Sequence, residues 1–382
     1  MIPLFRPFLE GNELKYIKNC IDSTWISSNG KYVNLFEDEI AKFTSAKYAI
    51  ACINGTSALH ISLLLSEVKS EDYVIVPNIT FVASLNSIKY TGATPILMDI
   101  KKDSWQMDLD LLEDFLNTKT YTEIINNKKS SFLISNKKRV KAIMIVHVLG
   151  NICDMSRLVK LAITYGLELI EDSTEALGSY YKKNHAGTFG LLGTFSFNGN
   201  KIISTGSGGM IVTNNESLAV KAKHLTTTAK TSNIDYIHDE IGYNYRLVNV
   251  LAAMGLAQME NLNLILKKKK EIDFFYKTNL KNIGDIKFQA IGSNCDVNSW
   301  LFTIRTRKMR NLFEYLKNNG VETRPLWTPM NKLQMFKNLD YFNNEDVSSE
   351  IHETCLSIPC FPSITANQLN QIVDLIKKFF KD

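Results

Sequence analysis

The chain has 382 residues, 45% of them hydrophobic and 22% charged, with a formal net charge of +5. That is the balance of an ordinary globular protein, long enough to bury a large core in two associated domains. The charge excess is too small and too dispersed for a nucleic-acid surface, though it suits an anionic small molecule. No apolar run approaches the ~18 residues of a membrane span.

The N-terminal MIPLFRPFLEGNELKY lacks the basic-then-apolar order of a signal peptide. The six cysteines are scattered without a CxxC pair, so reduced thiols and a cytoplasmic location are expected. After the arm comes a helix opened by Glu10 to Glu13, then the hydroxyl-rich loop Ser23 to Lys31, which includes Trp25 and Ser27. The Asn29-Gly30 pair reads as a turn. A loop whose hydroxyls and amides meet an anionic group is the alternative. Tyr48 to Ile53 reads as a strand running into Asn54-Gly55-Thr56-Ser57, which opens a helix over Ala58 to Leu65. Free amides and hydroxyls at a positive dipole end make an anion site, and a plain N-cap by Thr56 or Ser57 is the alternative.

From there strands and helices alternate. Strands are expected over Tyr73 to Val76, Pro95 to Asp99, Ala142 to Val148, Leu167 to Ile170, Thr194 to Phe197 and Met210 to Thr213. Helices are expected over Phe81 to Tyr90, Asp108 to Asn117 and Met155 to Tyr165. Near-continuous apolar strands alternating with helices predict an α/β fold, a mostly parallel sheet covered on both faces. Ligands on such sheets sit beyond the strands' C-terminal ends, where Asn54 to Thr56, Asn78 to Phe81, His147 and Asp172 fall. The polar, lysine-rich stretch 119–139 breaks the alternation and reads as a surface hairpin. Helices are expected over Leu218 to His224 and Val248 to Lys270, followed by a smaller α+β region. The domains are thus placed at 1–250 and 251–382.

The centre of the chain is 171–209, where a strand ends in Glu171-Asp172 and Lys201 follows twenty-nine positions later. A carboxylate at a strand end and a lysine beyond the next strand are what pyridoxal phosphate chemistry requires. The lysine bonds the cofactor covalently, and the carboxylate keeps its ring nitrogen protonated. A cap and a solvated surface lysine are the plainer alternatives.

The stretches NGTSALH (54–60), VPNITFVAS (76–84), IVHVLG (145–150), IEDSTEALGS (170–179), FSFNGNKIISTGSGGMIVT (195–213) and EIGYNYRLVNVLAAMGLAQ (240–258) occur in order. With them the chain resembles the DegT-type sugar-nucleotide aminotransferases, a branch of the fold-type I pyridoxal phosphate enzymes. The resemblance implies an aspartate-aminotransferase-like three-layer domain with a small C-terminal α+β domain. It implies that Lys201 and Asp172 are catalytic and that Phe81 stacks on the cofactor. It further implies that Gly55, Thr56, Ser57 and Ser196 cup the cofactor phosphate, and that Asn244 reaches it from the partner of a homodimer with shared sites. Pyridoxamine phosphate would be the intermediate form of the cofactor and glutamate the amino donor.

STWISSNGKYV, FNGNKIIST, IHDEIGYNYRL and TRPLW look closest to 4-aminotransferases of legionaminic acid and related pathways. The expected acceptor is then a nucleotide-linked 4-keto-6-deoxy-2-acetamido sugar, of legionaminic acid or bacillosamine type. A GDP-perosamine-synthase-like 4-aminotransferase and a pyridoxal phosphate-binding regulatory protein without turnover are the alternatives. Trp25, Ser27, Glu175, His147, Arg246 and Arg324 are candidate substrate contacts, the arginines because guanidinium forks fit carboxylates and diphosphates. Asn331 stands where the family pattern has histidine.

Overall fold

The computed structural model describes residues 1–232 and 234–381. Its strands are β1 (Tyr48–Cys52), β2 (Tyr73–Pro77), β3 (Thr94–Met98), β4 (Thr120–Ile125), β5 (Lys128–Leu133), β6 (Arg139–Val146), β7 (Glu168–Asp172), β8 (Tyr180–Tyr181), β9 (Asn184–His185), β10 (Leu192–Ser196) and β11 (Gly209–Thr213). They continue with β12 (Lys287–Phe288), β13 (Cys295–Asp296), β14 (Phe302–Arg305), β15 (Arg324–Pro325), β16 (Tyr341–Phe342) and β17 (Cys355–Ile358).

The central sheet runs β1-β11-β10-β7-β6-β2-β3-β16. Every pairing from β10 to β16 is parallel, and β11 is antiparallel to both of its neighbours. The two-residue period of a strand divides each apolar run between two cores. Val74, Val76, Met144 and Val146 pack on one face, and Ile75, Ile143 and Ile145 on the other. Each such buried side chain contributes roughly 1.5–3 kcal/mol, so a sheet covered on both faces follows from its own composition. The expected α/β three-layer architecture is what forms.

The stretch 119–139 forms the predicted hairpin: β4 and β5 pair antiparallel across Asn126 and Asn127, both at positive φ. Two asparagines tolerate the left-handed angles that a tight two-residue turn needs. After α1 (Glu13–Asp22) comes a helix absent from the sequence-based expectations, α2 (Lys31–Thr44), which buries Val33, Phe36 and Ile40. The loop before it is not built on an Asn-Gly turn. Gly30 is extended, and a Cβ there would lie 2.2 Å from the side chain of Asn249.

A second sheet, β12-β14-β17-β15, is wholly antiparallel and lies in the C-terminal third. The long helix expected over Val248 to Lys270 is two helices, Asn249–Glu260 and Leu262–Leu280, broken at Asn261. Ala252, Ala253, Leu262 and Ile265 pack into the same core as the central sheet, while Ile272, Tyr276 and Leu280 pack with the C-terminal strands. The change-over in packing therefore falls inside the second helix. β16 also returns to pair with β3, so the C-terminal region contributes an edge strand to the large sheet.

Candidate active site

A cleft of about 650 Å³ opens beyond the C-terminal ends of β1, β2, β7 and β10, with the 322–327 segment as its far wall. Its floor begins at α3 (Gly55–Leu65), whose N-cap is Asn54: the Asn54 side chain accepts the Ser57 amide at 2.8 Å. Neither Thr56 nor Ser57 caps the helix. Gly55 and Thr56 line the cleft, so the first amides of the helix and its positive dipole end face the opening. A Cβ on Gly55 would lie 2.9 Å from Cβ of Ser196, and glycine alone lets the helix start pack against the end of β10. Ser57 is buried and lies behind this rim, outside the cleft lining.

Asp172 ends β7 and is 3% exposed. Its Oδ2 accepts from the Ser84 hydroxyl at 2.7 Å and its Oδ1 from the Thr174 hydroxyl at 2.7 Å. Two short donors fix the carboxylate in direction, with a face toward the cleft. Its neighbour Glu171 points the other way. It accepts the amides of Gly187, Phe189 and Gly190 and pairs with His147 Nε2 at 3.0 Å.

Lys201 sits on the turn beyond β10, its amide donating to the Asn198 carbonyl at 3.0 Å. Its Nζ lies 3.6 Å from Glu175 Oε1 and 4.2 Å from the ring centroid of Trp300. Glu175 caps no helix; its second oxygen accepts the Leu149 amide at 2.8 Å. Burial pushes its carboxyl up to about 7, against the opposing pull of Lys201. Phe81 is 55% exposed and presents its ring to the same cleft.

Of the residues singled out in the sequence, Gly55, Thr56, Phe81, Asp172, Glu175, Ser196, Lys201 and Arg324 share this cleft. Others do not. His147 follows β6 as expected but is fully buried against Glu171 and does not line the cleft. Arg246 is also buried, paired with Glu37 of α2 and donating to the Ala51 carbonyl at 3.2 Å, so it is no anion clamp. Trp25, Ser27 and Asn244 are exposed and lie outside their own chain's cleft. The loops carrying them are stitched together by Asn249, which donates to the Trp25 and Ser27 carbonyls. Asn331, the departure from the family pattern, forms a reciprocal pair with buried Asn78 at 3.0 Å.

Trp300 and Glu322 line the cleft and belong to no motif singled out in the sequence; Trp327, the last residue of TRPLW, lines it as well. No local pattern around Trp300 announces that its ring meets Lys201, ninety-nine positions earlier in the chain. A second cavity of about 580 Å³ lies by Asp99 and Arg305. Its Lys101, Lys102 and Arg305 are already paired with Asp108, Asp110 and Glu350.

A helix N-terminus for a phosphate, a fixed carboxylate for a ring nitrogen, an aromatic face and a half-buried lysine fit pyridoxal phosphate. This fold and this donor set define a pyridoxal phosphate-dependent aminotransferase. The chain belongs to the DegT/DnrJ/EryC1/StrS aminotransferase family, whose model matches residues 7–377. The GDP-perosamine synthase of Escherichia coli O157:H7 is 38% identical over 384 residues, covering 100% of this chain and 99% of that protein. The GDP-perosamine synthase of Vibrio cholerae is 35% identical over 385 residues, covering 100% of this chain and 99% of that protein. The fold is that of a DegT DnrJ EryC1 StrS aminotransferase from Brucella abortus, with a TM-score of 0.89 at 23% identity, covering 97% of this chain and 96% of that one.

Proposed function

We propose that the chain transfers an amino group from glutamate to C4 of a GDP-linked 4-keto-6-deoxy sugar, as a two-fold dimer with shared active sites. The observation that carries the acceptor is the full-length identity of 38% to a GDP-perosamine synthase. It supports the GDP-perosamine-synthase-like alternative over the legionaminic acid or bacillosamine type of acceptor suggested by the sequence motifs. It also disfavours the regulatory alternative, since Lys201, Asp172 and Ser196 are all intact and share one cleft.

Pyridoxal phosphate, when bound, supplies an electron sink that makes a C–H beside the transferred nitrogen acidic. The chain's residues have four tasks around it. The Gly55 and Thr56 amides, with the Ser196 hydroxyl, would hold the phosphate at the positive end of α3. Asp172, locked by Ser84 and Thr174, would place a fixed negative charge against the ring nitrogen. Phe81 would cover one ring face. Lys201 would anchor the group covalently and, once displaced by the donor amine, carry the proton between donor carbon and cofactor. Arg324, 67% exposed on the far wall and, among the described residues, paired only with Glu322 at 3.5 Å, would meet the diphosphate of an incoming nucleotide.

Exposed Asn244, lying off its own cleft, supports the shared-site reading, as do the exposed apolar side chains of Ile234, Tyr236 and Ile241 in the preceding segment. Purified enzyme with glutamate is expected to convert a GDP-linked 4-keto-6-deoxy sugar to its 4-amine, read by NMR of the product. Turnover only of a UDP-linked 2-acetamido sugar would overturn the acceptor assignment. Refolding Lys201→Ala together with an inactive Asn244 variant is expected to recover about a quarter of wild-type activity, because mixed dimers place both lesions in one site. No recovery in confirmed mixed dimers would place Asn244 within its own subunit's function.

A further inference from the structure

The Lys201 side chain ends between two walls. On one side is Glu175, its Oε1 3.6 Å from Nζ; on the other is the Trp300 indole, its centroid 4.2 Å away. Both walls are held from behind. Glu175 Oε2 takes the amide of Leu149, a non-glycine residue at φ 59 in the left-handed region, where backbone strain tends to mark function. Trp300 is 2% exposed, and its indole N–H donates to the Asn200 carbonyl at 2.6 Å, one residue before the lysine. Its carbonyl receives Lys269 Nζ at 2.7 Å. One fully buried residue ties the two walls together. Asn298 donates to the Glu175 carbonyl at 2.7 Å and to the Leu177 carbonyl at 2.9 Å, while accepting the Trp300 amide at 3.0 Å.

A lysine that is covalently bound and then displaced in every half-reaction needs a place to stay between events. A long cationic side chain left free would sweep several rotamers and lose the geometry for return. A carboxylate and an indole face both favour the ammonium form at short range. We propose that Glu175 and Trp300 form a socket for the released Lys201 amine, with Asn298 setting the spacing of its walls. The proposal rests on the reading of Lys201 as the amino-transfer lysine. Glu175 and Trp300 are positioning residues that act through it, and Glu175 is thereby turned toward the lysine rather than toward the sugar.

Among the described residues, the charged groups around the socket include Lys269, whose Nζ is held on the Trp300 carbonyl. Asp172 acts on Glu175 from β7, Lys201 itself acts from the turn beyond β10, and Glu322 and Arg324 stand on the open wall. With the Glu175 carboxyl pushed up to about 7 by burial, its hold on the ammonium grows as pH rises through that value.

The test uses cofactor-free protein and acetic anhydride, with acetylation of Lys201 read by peptide mass spectrometry from pH 6 to pH 9. Glu175→Gln is expected to react at about the wild-type rate at pH 6 and about tenfold faster at pH 8.5, because the carboxylate 3.6 Å from Nζ holds the amine in place and away from the reagent. Trp300→Leu tests the second wall and should react about two- to fivefold faster. It carries the test alone should Glu175→Gln not fold. Rates unchanged in every folded variant would overturn the socket. Because acetylation requires no turnover, such a result would leave the aminotransferase reading standing. An inactive enzyme that kept the pH contrast would do the reverse.

Discussion

The two walls of the cleft are built on opposite plans. On the sheet side, each chemical group is over-determined. Asp172 has both oxygens engaged by short hydroxyl donors, Asn54 caps the helix that offers its amides, and Lys201 lies between two fixed neighbours. On the C-terminal side, Arg324 stands largely in solvent with one distant acidic neighbour. Preorganised donors aimed at developing charge need no rearrangement during reaction, whereas a wall that receives a bulky nucleotide must leave room to enter. On the proposed function, this contrast would put the chemistry at the sheet rim and substrate choice at the far wall.

The sharpest break of this contrast is at Lys201. Lys201→Ala should lower turnover to background while leaving the fold and its melting temperature near wild type, checked by absorbance and circular dichroism. Asp172→Asn comes next, with retained cofactor and a loss of about 10²–10³ in kcat, the scale of removing one preorganised partner of a charge. Turnover within tenfold of wild type would remove Asp172 from the chemistry.

The far wall should respond differently. Arg324→Ala is expected to raise KM for the nucleotide sugar about tenfold to a hundredfold, with kcat little changed, because it removes a charge-assisted contact made equally before and during reaction. A fall in kcat at constant KM would place Arg324 with the rim instead. Arg246 lets the comparison be sharpened from outside the cleft. Buried against Glu37, it holds α2 to the end of β1. Arg246→Ala should therefore cost about 3–5 kcal/mol of stability, by leaving Glu37 buried and uncompensated, with activity per folded molecule preserved.

The smallest effect is a pH dependence. The Glu175 carboxyl is raised from 4.5 to about 7 by burial, so the folded state favours its neutral form. Its contribution to stability is full below about 4.5 and is lost as pH rises through about 7. Cofactor-free Glu175→Gln should match wild type near pH 4.5 and exceed it above pH 7, by at most roughly 3 kcal/mol in thermal melts. Parallel melting curves from pH 5 to pH 8 would show that Glu175 does not titrate in this interval.

Periodicity and strand-end placement in the sequence determined the α/β fold, the parallel sheet, the hairpin at 119–139, and Asn54 to Thr56, Phe81 and Asp172 at one rim. Each of these depends on local rules: an apolar run buries on both faces, a parallel strand ends at a ligand rim, and a cluster of small polar residues opens a helix. The order of the motifs then pointed to Lys201. What the chain order could not carry was the direction of individual side chains. His147 and Glu171 leave the same rim as Asp172 yet turn into the core, because alternate residues of a strand face opposite ways and the amides of Gly187, Phe189 and Gly190 wait on that side. Arg246 looked like an anion clamp until α2, a helix read past in the sequence, brought Glu37 to it. Only tertiary packing also placed Trp300 over Lys201 and Glu175 beside it. Those contacts join segments far apart in sequence, and no residue type or spacing within either segment encodes the other.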